Sequence, residues 1–117
     1  MIPTGDRHVC SGVRIWLATS PVDMRRSFDV LAEHVREVLK LDPLSGHLFV
    51  FRNRTAQRVK ILWWDHNGLA IYYKRIERGV FQFPDSADKI FSIDSGNLVK
   101  LLSGLPVDIA DNTSRHG

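Results

Sequence analysis

The residues of this sequence that could do chemistry gather in one stretch. Of sixteen lysines and arginines, seven fall between Arg52 and Arg78: Arg52, Arg54, Arg58, Lys60, Lys74, Arg75 and Arg78. Asp65 and Glu77 offset them there, whereas the rest of the chain carries nine basic and eleven acidic residues. The net charge of +3 therefore comes from one segment. Positive charge confined in this way is the electrostatic footprint of a site for a polyanion. The same stretch holds Trp63, Trp64, Tyr72 and Tyr73. A cationic sheet face with an aromatic at one end can hold a phosphate backbone and stack a base, each stacked base contributing about 1–3 kcal/mol.

The period-two alternation of a strand sorts these side chains. Over Arg58–Trp64 it puts Val59, Ile61 and Trp63 on one face, purely apolar and therefore core, and Arg58, Lys60, Leu62 and Trp64 on the other. Over Leu69–Ile76, Tyr72, Lys74 and Ile76 share one face, and Ile71, Tyr73 and Arg75 the other. The candidate nucleic-acid-binding residues are Arg52, Arg54, Arg58, Lys60, Trp64, Tyr72, Lys74, Arg75 and Arg78. A plainer reading fits the same residues. If both faces of a curved sheet are covered, Trp64 and Tyr72 are packing, and the basic side chains are solvated surface and edge protection. From these residues alone, both readings stand.

Other chemistries find little support. His8, His34, His47, His66 and His116 show no paired ligand spacing, and the single Cys10 has no thiol partner for a disulfide or a metal. Ser20, Ser45 and Ser103 lie in no nucleophile motif. The glycines are isolated, so no phosphate-cradling loop is expected. Asp23, Asp65 and Asp85 are scattered, whereas a two-metal nuclease needs converging carboxylates. No cofactor and no catalytic residue is expected.

The elements that must position the basic stretch follow from periodicity. With 117 residues, 44% hydrophobic and 25% charged, the chain suits one soluble domain. Val13–Ala18 alternates as a strand. Asp23 is placed to cap a helix in which Met24, Phe28, Leu31, Ala32, Val35, Val38 and Leu39 recur every three or four residues, ending near Lys40 ahead of Pro43. Arg25 and Arg26, at the wrong end of a helix dipole, are expected to be exposed, or compensated by an anion or by Asp23. His47–Arg52, Arg58–Trp64, Leu69–Ile76 and Val80–Phe83 read as an antiparallel meander, Gly68 supplying a positive φ at the second turn. Residues 87–93 fit either a short strand or irregular chain, and Asp94 or Ser95 caps a second helix that Gly104 and Pro106 stop. The expected fold is α+β: one small domain, an antiparallel meander of about four to six strands, a long helix at about 24–40 and a short one at about 95–103. Residues 1–12 are expected as a loose arm, 13–104 as the domain and 105–117 as a flexible tail. No run reaches the roughly 20 apolar residues of a membrane span, and a cytoplasmic protein without membrane contact is expected.

From Ser11 to Pro84 the sequence resembles a known family. Asp23, Met24, Arg25, Phe28 and Asp29 match a DMR-x-x-F-D pattern. Asp42, Pro43, Ser45, Gly46 and Leu48–Phe51 match DP-x-SG-x-LFVF, followed here by Arg52 and Arg54. Lys60–Asp65 with Gly68 match KILWWD-x-x-G, and Lys74, Arg75, Glu77, Arg78, Gly79 and Phe81 match KR-x-ERG-x-F. Together they resemble the TnpB-type, second-open-reading-frame-like accessory proteins of the insertion-sequence sixty-six group. Ser27 departs from the pattern, where many relatives carry glycine. The resemblance implies a non-catalytic helper required for transposition of a bacterial insertion sequence, beside a separate larger transposase. Its expected partners are DNA (element ends or target) and that transposase, with homo-oligomers allowed. The competing expectation is a protein–protein adaptor, docking the transposase or a second copy through Trp63, Trp64, Tyr72 and Tyr73 without touching DNA.

Overall fold

The alternating segments form the predicted strands, but the sheet they build is mixed. The computed structural model describes residues 12–108. In chain order its elements are β1 (Ile15–Ala18), α1 (Phe28–Glu37), β2 (Leu48–Arg52), β3 (Arg58–Asp65), β4 (Gly68–Arg75), β5 (Ile90–Ile93) and α2 (Ser95–Leu102). The strands lie in the order β4-β3-β2-β1-β5. β2, β3 and β4 are the expected antiparallel meander. β1, however, runs parallel to β2, pairing Ile15 with Leu48, while β5 lies antiparallel on its other side. The expectation of a wholly antiparallel sheet is corrected here, and the cause is α1. A parallel pair needs a crossover of a dozen or more residues, which the helical connection between β1 and β2 supplies.

Both faces of the sheet are covered. On one, Ile15, Leu17, Leu48, Val50, Val59, Ile61 and Trp63 pack with Leu98 and Leu101 of α2 and with Phe81. On the other, Phe49, Phe51 and Leu62 meet Leu31, Ala32 and Val35 of α1. That explains the unbroken apolar run of β2, whose first four residues are all buried.

Several local expectations shift for identifiable reasons. The long helix spans 28–37 rather than 24–40, because Asp23 does not cap it. The Asp23 carboxylate instead accepts from the Arg25 backbone N–H (2.9 Å) and its guanidinium, and Ser27 occupies the N-cap without a side-chain cap bond. The helix ends early as well, with Lys40 entering the left-handed region at φ 59. At the β3–β4 turn it is His66, at φ 63, and not Gly68 that takes the positive φ, since Gly68 already pairs with Asp65. Val80–Phe83 is not a strand. Gly79 (φ 76) turns the chain out of line with β4, and Phe81 then bonds through its N–H to Ala56 O (2.7 Å) and buries its ring. Residues 90–93 resolve as strand β5. Asp94 caps α2 as expected, accepting from the Asn97 N–H at 2.8 Å. Beyond Gly104, Val107 packs on the core and Asp108 N–H donates to Asn97 Oδ1 at 2.9 Å. The rest of the expected arm and tail, residues 1–11 and 109–117, lies outside the described residues.

Candidate nucleic-acid interface

The β3–β4 register decides which basic residues meet. Arg58 stands directly opposite Arg75, and Lys60 opposite Tyr73, all four on the α1 face. Like charges directly opposed across a ladder are destabilising. Two local contacts relieve this pair: Arg58 Nη1 donates to the Tyr73 hydroxyl (2.9 Å), and Arg75 Nε to Glu77 (3.0 Å), an ion pair more than half exposed on both sides. Exposed pairs of this kind contribute roughly 0–1 kcal/mol, so the end of the sheet keeps its positive field.

Two backbone bonds add the loops to this end. Ile76 N–H donates to Gln57 O (2.9 Å) and Phe81 N–H to Ala56 O (2.7 Å), tying the chain after β4 to the β2–β3 loop. Arg54, in that loop, and Arg78, in the turn after β4, are both exposed. Lys60 has a different environment. Only 8% exposed, it donates through Nζ to the Arg26 carbonyl (2.6 Å) and lies 4.8 Å from the Tyr73 ring centroid. It thereby ties the backbone just before α1 to this face, while Arg26 itself shares a surface groove with Asp29, Glu33 and His34.

The structure thus brings Arg58, Lys60 and Arg75 onto one face, puts Arg54 and Arg78 in loops tied to that end of the sheet, and separates the other candidates. Arg52, Tyr72 and Lys74 are on the α2 side. Arg52 donates to Thr19 O (2.8 Å), Tyr72 packs half-buried against that core, and Lys74 Nζ donates to Leu102 O (2.8 Å), where a cation suits the C-terminal end of α2. Trp64, half-buried, pairs with Leu69. Its position is six residues from Arg58, roughly 20 Å along the strand, so it is not the aromatic beside the cations. That aromatic is Tyr73, which the period-two pattern places with Arg75. The sequence marks Arg26 only, with Arg25, as a cation at a helix start; the bond from Lys60 to its carbonyl spans a separation of 34 residues and has no local signal.

Burial, with a smaller push from Arg26, lowers the His34 pKa, and the ring packs edge-on against Phe51 at 5.7 Å. Among the described residues no group of three His, Cys, Asp or Glu side chains could hold a metal ion, and no helix is long and apolar enough to cross a membrane.

With this geometry in hand, comparison with known proteins is direct. The family described as IS66 Orf2 like protein matches residues 13–112. The chain belongs to that family. Two relatives come from Sinorhizobium fredii (strain NBRC 101917 / NGR234). The uncharacterized protein y4hO is 43% identical over 105 residues, covering 90% of this chain and 87% of that protein. The uncharacterized protein y4jC is 36% identical over 94 residues, covering 80% of each. No solved structure matches the chain. Membership of the IS66 Orf2-like family points to an accessory role in transposition.

Proposed function

We propose that this IS66 Orf2-like protein serves transposition by holding DNA through its phosphates. Arg54, Arg58, Arg75 and Arg78 make the contacts. One observation carries the reading: Arg58 and Arg75 face each other in register, a repulsive pair that only one carboxylate offsets locally. A polyanion turns that repulsion into attraction. The contacts involve guanidinium groups on a strand end and two loops, which position a duplex rather than read its bases.

Four phosphate contacts predict a salt dependence with a logarithmic slope of about −3.5. Duplex affinity, followed by fluorescence anisotropy, should fall on the order of 100-fold between 50 and 200 mM salt. An Arg58→Ala, Arg75→Ala, Arg78→Ala variant should weaken binding to all sequences and flatten the slope by about 3. An unchanged slope in that variant, or no duplex binding at low salt, refutes the proposal. The adaptor alternative draws less support. Of its four aromatics Trp63 is buried and Trp64 and Tyr72 are half-buried; Tyr73 alone is exposed, and it lies among the cations.

A further inference from the structure

On the α2 side, at the end of β2, a cavity of about 510 Å³ opens between residues 19–21, Ala56 and residues 80–86. Small-molecule sites typically span roughly 300–1,000 Å³. Arg52 lines it, with its guanidinium over the Phe83 ring at 5.7 Å from the centroid. Nη2 donates to Thr19 O (2.8 Å) and Nη1 reaches Asn53 O (3.4 Å), while Nε is buried and has no partner. Neutral carbonyls orient this cation without cancelling its charge. Among the described residues no carboxylate forms an ion pair with it. Asp85, exposed, also lines the cavity and leaves Arg52 unpaired.

The remaining walls say which anion fits. Pro21, Val80 and Pro84 offer apolar surface, while Thr19 Oγ1 and Ser86 Oγ at the rim are already bonded to the Asp88 backbone. Val80 is 44% exposed, so its side chain is accessible to a ligand at this wall. One planar cation beside apolar walls matches a phosphate carrying a base. Guanidinium forks bind phosphate, and guanidinium planes also stack bases.

We propose that this cavity takes one nucleotide of an unpaired DNA strand, with its phosphate on Arg52 and its base against the Val80 and Pro84 wall. The proposal rests on the DNA-binding reading and adds the form of DNA. A base inside a duplex is stacked and out of reach of a concave site, so only an unstacked nucleotide enters. Ala56 belongs both to the cavity wall and to the loop that carries Arg54, so the cavity borders the basic end of the sheet.

The test uses the full chain with a fluorescein-labelled dodecamer of thymidine, single-stranded and as its duplex with deoxyadenosine. Wild type should bind the single strand at least 10-fold more tightly. Val80→Glu, which adds charge to the cavity wall at an exposed side chain, should cost the single strand about 10-fold and leave duplex binding and its salt slope unchanged. Arg52→Lys should do the same, and the Val80 variant keeps the test valid if that protein folds poorly. Amide shifts on adding thymidine 5′-monophosphate should map to residues 19–21, 52 and 80–86, and thymidine alone should give weaker ones. Equal losses for both DNA forms, no loss in Val80→Glu, or equal displacement by acetyl-aspartate would overturn the proposal. Duplex binding that persists without a single-strand preference removes the cavity inference alone. If neither form binds, the DNA-binding reading fails with it.

Discussion

Lys60→Met separates a cation that contacts DNA from one that builds the surface. The Lys60 stem is buried and its Nζ serves the Arg26 carbonyl and the Tyr73 ring. Methionine keeps the stem and removes the ammonium. A hydrogen bond from a charged donor contributes about 1.5–3 kcal/mol, and a cation over a ring about 0.5–2 kcal/mol. Against these stands the cost of burying the ammonium, which methionine abolishes. Because Arg26 is exposed, its freed carbonyl can find water. The net expectation is a loss of about 1–2 kcal/mol, or a Tm lower by roughly 5–15 °C for a domain of this size. Lys60→Ala, which also strips three methylene-sized groups, should lose about 2 kcal/mol more. Urea unfolding followed by tryptophan emission measures both, since buried Trp63 reports on the sheet. The salt slope of DNA binding should barely move in Lys60→Met. A variant as stable as wild type whose slope falls by about 1 would refute this assignment, because Nζ would then be spent on phosphate rather than on Arg26.

Three further outcomes test the frame around the site. Asp94→Ala removes the α2 cap and should cost about 1 kcal/mol in chemical denaturation, with Asp94→Asn close to neutral. Gly104→Ala forces a side chain into φ 78 with its Cβ 3.0 Å from Ile76 Cδ1, and should cost about 1–2 kcal/mol in the same assay. The side-chain and backbone bonds from Arg25 lower the Asp23 pKa from 3.8 to about 2. Since the folded value is the lower one, the interaction is fully present above about pH 4 and is lost as the pH falls through about 2. A carboxyl-carbon NMR titration should place the midpoint there, and Arg25→Ala should return it towards 3.8.

What was legible in the sequence was local. Period-two alternation located β1 to β4 and sorted the side chains within each strand, separating Arg75 from Lys74, because side-chain direction needs no partner; that Arg75 and not Lys74 shares the face of Arg58 came only with the register. The helix existed where the three-and-four spacing placed it, but its start was misjudged, since Asp23 has two possible uses and Arg25 claims it. Sheet order was not legible. β1 pairs across a crossover with β2 and across some seventy residues with β5, and no local preference encodes that choice. The site lies between these cases. That Arg58 meets Arg75 follows from register, which the two-residue turn between Asp65 and Gly68 sets. That Arg54 and Arg78 join them depends on backbone bonds made by an irregular segment, for which no pattern exists.

The place of β1, one strand in from the edge that β5 forms, has a consequence for how the chain assembles. β2, β3 and β4 are joined by short turns and can zip together early, since closing small loops costs little entropy. β1, first of the strands in sequence, has a partner for one edge once β2 exists, but its other edge waits for β5. Until residues 90–93 arrive, a growing chain carries an open strand edge on β1, beside Ile15 and Leu17. Unpaired edges of this kind recruit other chains. Fragments stopping short of β5 should therefore aggregate even though every basic residue of the proposed DNA surface is already present in them.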